Sequence, residues 1–106
     1  MKKKVWYLSG AISSDEHYRE KFTNAEHVLR SLGFAVCNPV DTKAKGDKDW
    51  AYYMKKDIQK LLKCDGIMLL PDWLESRGAK LEYVIAEELG LMVLDYDKVI
   101  QVCLNE

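Results

Sequence analysis

The side chains able to do chemistry in this sequence gather in three segments. The longest is Asp72-Trp73-Leu74-Glu75-Ser76-Arg77-Gly78-Ala79-Lys80-Leu81-Glu82. Gly78 and Ala79 would let a ligand approach the backbone where a helix opens, and Glu82 falls one turn into that helix. The positive end of the helix dipole keeps such a carboxylate ionised at neutral pH. That suits a nucleophile or a stabiliser of cationic charge better than a general acid. A solvated acid that merely complements the dipole has the same local signature.

The second segment, Ser9-Gly10-Ala11-Ile12-Ser13-Ser14, places one glycine and three hydroxyls between a strand and a helix. It has neither the GxGxxG of a dinucleotide site nor the GK[ST] of a P-loop. Backbone amides at such a turn can hold a phosphate or a hydroxyl group, and an ordinary strand-to-helix turn reads the same way. The third candidate is Asp57. Lys55, Lys56 and Lys60 around it would make a surface ion pair, whereas Tyr53 and Leu61 on its helical face draw it inward. Trp50, Tyr52 and Tyr53 suit a base pocket or plain helix–sheet packing. His17 and His27 stand ten residues apart without a companion at ligand spacing, so no metal site is expected.

The elements that must position these groups alternate along the chain. Val5–Ser9 is an apolar strand. Ser14 or Asp15 caps a helix whose apolar face is Tyr18, Phe22, Ala25, Val28, Leu29 and Leu32, and Gly33 ends it. Phe34–Cys37 is a second strand, and residues 40–49 are a polar surface loop. From Asp49 a helix buries Tyr53, Ile58, Leu61 and Leu62. The continuous apolar run Gly66–Leu70 reads as a central parallel strand covered on both faces. Asp65, at its start, is structural. A loop over 72–78 enters a helix from about Ala79 to Leu89, and Leu91–Leu94 is a fourth strand. Val99–Leu104 is a fifth short strand or a tail. Right-handed crossovers turn this order into an α/β fold: an open, mostly parallel sheet of four or five strands, helices on both faces, Rossmann- or flavodoxin-like. Ligands in such sheets sit beyond the carboxyl ends of the strands, where all three segments emerge.

The chain's 106 residues make one domain, with 48% hydrophobic and 31% charged residues in a globular balance. A net charge of -1 offers no basic face for a nucleic-acid polymer. No apolar run approaches the roughly 18 residues that span a bilayer. Met1–Val5 resembles a signal-peptide start, but polar residues from Ser9 onward interrupt the apolar stretch, so export is not expected. Cys37, Cys64 and Cys103, without CxxC spacing, read as buried thiols in a reducing cytoplasm. A core this small is helped by self-association.

Taken together, the motifs form a pattern. Tyr7-Leu8-Ser9-Gly10-Ala11-Ile12 resembles the opening YxxGxI-type motif of the nucleoside 2-deoxyribosyltransferase superfamily. Asp57, eight residues before Asp65 and its strand, matches that superfamily's helix aspartate. Ser76–Glu82 is similar to its catalytic segment, in which a small-residue loop enters the helix bearing the nucleophile. The resemblance runs from about residue 4 to residue 95 and extends to small, often phage-encoded, deoxyribosyltransferase-like proteins. It implies that Glu82 attacks the anomeric carbon, Asp57 assists departure of the base, and Tyr7 orients Glu82 or touches the sugar. Substrate contacts would fall on Ser9, Gly10, Ile12, Ser13, Ser76 and Gly78. It implies no cofactor, a small nucleoside or nucleotide partner, and a homodimer or higher homo-oligomer.

Six residues before the glutamate, the transferases carry an aspartate for a free 5′-hydroxyl. The related 2′-deoxynucleoside 5′-monophosphate N-hydrolases carry a phosphate-binding serine there. Here the residue is Ser76, beside Arg77; an aspartate would repel a phosphate, and a serine can donate to it. Ser13 stands where the hydrolases have an arginine. The expected function is an N-glycosidase of (2′-deoxy)nucleoside 5′-monophosphates. Its alternatives are a base-exchanging 2-deoxyribosyltransferase and a nucleotide-binding module without turnover.

Overall fold

Alternating residues of Val5–Ser9 point to opposite sides of the sheet, and this strand, β1, is the one around which the fold is arranged. The structure is a computed structural model and describes residues 3–12, 17–42 and 49–104. After β1 come α1 (Tyr18–Ser31), β2 (Ala35–Cys37), a 3-10 turn at Pro39–Thr42, and α2 (Trp50–Leu62). Then follow β3 (Gly66–Leu69), a 3-10 turn at Trp73–Glu75, α3 (Arg77–Glu88), β4 (Met92–Asp95) and α4 (Tyr96–Leu104). The sheet has the order β2-β1-β3-β4 and every pairing is parallel.

The side chains of β1 divide the core. Trp6 and Leu8 face α1 and α4, packing with Phe22, Ala25, Leu29, Met68 and Leu70, against which Tyr96 and Val99 close. Tyr7 faces α2 and α3, with Leu61, Ile67, Leu69 and Ala86. Helices thus cover both faces, as the α/β reading requires. From β1 the chain moves outward to β2, and from β3 outward to β4 the other way. The carboxyl ends of β1 and β3 therefore flank the topological switch point, where such sheets hold their ligands.

Helix ends follow the glycine signals. Gly33 (φ 97°) and Gly90 (φ 75°) take the left-handed conformation after α1 and α3. In each case the next two amides return to carbonyls of the last turn: Gly33 to Arg30, Phe34 to Leu29, Gly90 to Glu87, and Leu91 to Ala86. Asp49, from which the helix was expected to run, caps α2 by accepting from the Tyr52 amide. The expected caps of α1, Ser14 and Asp15, lie outside the described residues; the described N-cap is His17, which makes no side-chain cap bond. Asp65 is structural, its carboxylate accepting from the Val5 amide at 2.7 Å.

Four expectations change. Residues 99–104 form neither a fifth strand nor a tail but lie in α4. Asp95 accepts from the Lys98 amide at its start, and Tyr96 and Val99, three apart, pack on the core. On α2 the buried stripe is Met54, Asp57 and Leu61, with Tyr53 and Ile58 only half-buried and Leu62 51% exposed. The inward face is turned by about one residue and carries an acid. On α1, Val28 and Leu32 are exposed, leaving Phe22, Ala25 and Leu29 as the buried face. Of the cysteines only Cys64 is buried; Cys37 and Cys103 are half-buried, and all three are free thiols. No helix of the described residues is long and apolar enough to cross a membrane.

β3 can lie this close to β1 only because it opens on a residue without a side chain. A Cβ on Gly66 would come within 2.3 Å of the Trp6 ring and 2.8 Å of the Met92 carbonyl oxygen. Gly66→Ala is therefore expected to lower the unfolding free energy by about 1–3 kcal/mol, read as a shifted urea midpoint at unchanged slope.

Candidate active site

Two residues apart on β1, Tyr7 and Ser9 point to the same face, and Glu82 descends on them from α3. Tyr7 Oη donates to Glu82 Oε2 and Ser9 Oγ donates to Glu82 Oε1, both at 2.7 Å. These are short, charge-assisted hydrogen bonds, one to each carboxylate oxygen, and they hold the carboxylate in one orientation. Glu82 is 5% exposed and Asp57 on α2 is 2% exposed. Burial overturns two of the alternative readings: Glu82 is not a solvated acid at a helix end, and Asp57 is not a surface acid.

Asp57 reaches the same centre. Burial first, then the negative charges of Glu82 and Asp57, push the Tyr7 phenol well above its usual 10. Tyr7 is therefore held protonated and remains a donor. Cys37, the β2 partner of Tyr7 in the sheet register, lies at the edge of this group. A hydrogen bond from Cys64 brings its thiol down to about 7, against the opposing effect of burial and with help from Lys60. Cys64 moves the other way, raised by that bond and by burial.

The opening of α3 sets how deep Glu82 sits. Ser76 caps the helix, its Oγ accepting from the Ala79 amide at 3.0 Å, so α3 begins at Arg77, two residues before the expected start. Gly78 was expected to clear space for a ligand. A Cβ there would lie 2.9 Å from Met54 Sδ and 3.8 Å from Trp50 Nε1, so the missing side chain also lets α3 press against α2. Arg77 stacks on Trp50, its guanidinium carbon 3.6 Å from the ring centroid. Trp50 stays 38% exposed on the helical face that also carries Met54 and Asp57.

The turn after β1 is held from both sides. Gly10 and Ala11 are buried and Ile12 is half-buried; Ser13 lies outside the described residues. Asp72 Oδ1 accepts from the Ala11 amide at 3.0 Å, and Lys21 Nζ donates to the Ala11 carbonyl at 2.8 Å while ion-pairing with Asp72 Oδ2. Lys21 was invisible to spacing, since its partner is 51 residues away. Asp72 lies in the segment that leads to Glu82, but its type and spacing give it no role, and Met54 lies one residue off the apolar period that α2 shows in sequence. Among the described residues, no group of three His, Cys, Asp or Glu side chains is placed to hold a metal ion.

Residues 4–95 match a family model described as Domain of unknown function (DUF4406). The chain belongs to the DUF4406 family. The fold of this DUF4406 domain is shared with solved structures. It is similar to a 2-deoxyribosyltransferase from Bacillus psychrosaccharolyticus with a TM-score of 0.68 and 22% identity, over 86% of this chain and 70% of that one. It is also similar to a 2-desoxiribosyltransferase from Leishmania mexicana with a TM-score of 0.66 and 21% identity, over 87% of this chain and 63% of that one. The DUF4406 chain thus spans 70% and 63% of those two lengths. No curated protein matches it.

Two measurements check this geometry. Below pH 10 the Tyr7 phenol is protonated in folded and unfolded chains alike. Above it the unfolded chain loses the proton and the folded one keeps it, so stability falls as pH rises. Relative to Tyr7→Phe, the wild type should lose about 1.4 kcal/mol of unfolding free energy per pH unit above 10. Cys37, with its thiol near 7, should be alkylated by iodoacetamide with a midpoint close to that pH and ahead of Cys64, as mass spectrometry of the peptides will read.

Proposed function

We propose that this protein is an N-glycosidase that hydrolyses the base–sugar bond of 2′-deoxynucleoside 5′-monophosphates, with Glu82 as nucleophile. The observation that carries the reading is the grip of Tyr7 and Ser9 on the buried Glu82 carboxylate, with Asp57 close enough to act on the same phenol. A buried carboxylate oriented by two donors at the switch point of a parallel sheet is equipped to capture a cationic carbon.

Loss of the base leaves an oxocarbenium-like C1′. A Glu82 oxygen bonds to C1′ as the C1′–N bond breaks, and the base, its ring edge bound beside Asp57, departs with the bonding electrons and takes a proton from water. The hydroxide so formed attacks C1′ and the ester to Glu82 breaks, releasing the carboxylate. Free base and 2-deoxyribose 5-phosphate are the products, and both acids return to their starting states. Tyr7 and Ser9 keep Glu82 aimed throughout.

The monophosphate preference rests on Ser76. Its oxygen accepts from Ala79, which leaves the hydroxyl hydrogen free to donate to a phosphate, and Arg77 follows it. A second reading, transfer of the deoxyribosyl group to another base, is favoured by the names of the two structural neighbours. It differs only in what attacks the glycosyl-Glu82: a free base in place of water.

Incubation with a panel of deoxynucleoside monophosphates should release free base, detected by chromatography, and Glu82→Ala should cut the rate about 1000-fold or more. No release from any substrate, with Glu82→Ala indistinguishable from wild type, overturns the reading. Added free base that is converted to a new nucleoside or nucleotide selects transfer. Ser76→Asp should weaken the monophosphates about tenfold or more relative to nucleosides, because it sets a carboxylate against the phosphate.

A further inference from the structure

The turn that leaves β1 is secured in an unusual way. Ser9 makes the last backbone contact with the neighbouring strand, its carbonyl accepting from the Leu70 amide at 2.8 Å. The next buried peptide groups lie beyond the ladder, and buried backbone donors and acceptors must find partners. Both polar groups of Ala11, itself 1% exposed, go to one ion pair: its amide to Asp72 and its carbonyl to Lys21. The pair joins the first turn of α1 to the segment after β3 across 51 residues. Gly10 is seated against the same carboxylate, since a Cβ there would lie 3.0 Å from Asp72 Oδ1 and from Leu70 Cβ. The outer side of the pair opens on a pocket of about 280 Å³ whose walls include Asn24, Pro71 and Tyr96.

We propose that Lys21 and Asp72 are positioning residues that set the Gly10–Ala11 turn against Ser9 and so fix where the substrate's sugar and 5′-group are received. Ser9 connects the two sites: its hydroxyl orients Glu82 while its peptide leads into the clamped turn. A shift of this turn displaces the substrate relative to Glu82 without touching either acid. The inference rests on the nucleotide reading above, and the experiment separates the two.

The variants are Lys21→Met, Lys21→Arg and Asp72→Asn, with Asp72→Ala added if it folds, each also made in a Glu82→Gln background that suppresses turnover. Three readouts are taken: amide exchange at Ala11, the dissociation constant for the four common deoxynucleoside monophosphates by calorimetry, and the melting temperature. Lys21→Met should speed Ala11 exchange and weaken nucleotide binding, each about tenfold or more. Lys21→Arg, whose guanidinium can donate to both oxygens, should restore both. Faster exchange with unchanged affinity overturns the proposal and leaves a brace that only stabilises, read as a lowered melting temperature alone. Unchanged exchange overturns it as well, because the pair then does not hold the turn. A parent protein that binds the monophosphates without cleaving them defeats the hydrolase reading, while the positioning role still stands or falls on the affinities. A parent that binds none defeats both.

Discussion

A carboxylate kept out of water must be solvated by the protein itself, and the site is arranged around meeting that demand for Glu82. Leaving such a group without donors would cost several kcal/mol. Here two hydroxyls from one strand supply the hydrogen bonds. The arrangement works because residues two apart on a strand share a face, so Tyr7 and Ser9 converge on one side chain without any distortion of β1. The pairing of β1 with β2 and β3 on its two sides then fixes the height of both hydroxyls.

The approach of Glu82 from above depends on side chains that are missing. Gly78 lets α3 settle against Met54 of α2, and Gly66 lets β3 slide under Trp6. An added methyl group would meet the Trp6 ring and the Met92 carbonyl at Gly66 and the end of the Met54 side chain at Gly78. Helix α2 is drawn into the same contact and brings Asp57 with it. The depth of the acids and the closeness of the elements are therefore one constraint.

Beyond Ser9 the sheet ladder stops, and charged side chains take over the hydrogen bonding of the chain. Asp72 and Lys21 do this for Ala11, as Ser76 does for the opening of α3. The rim of the site is thus built from side chains that replace backbone partners, and the chemistry proposed for the site relies on the same residues and turns.

Much of this was legible in local pattern. The alternation of apolar runs and the glycines after α1 and α3 foretold the parallel α/β fold, its helix ends and the loops at its working edge. Residue type and spacing also singled out Glu82 and Asp57, and the family resemblance added Tyr7. These signals are local, because a helical or strand period depends only on neighbours within a turn or two. What lies across from a buried face is set by residues far along the chain. The grip of Tyr7 on Glu82 spans 75 positions and that of Ser9 spans 73. For that reason tertiary packing alone decided that Asp57 turns inward in place of Ile58, that Gly78 faces Met54, and that Lys21 reaches Asp72. It also decided that residues 96–104 coil into a helix over Trp6 and Leu8: a short apolar segment buries its surface wherever the core leaves room, and the shape of that room is a property of the assembled sheet.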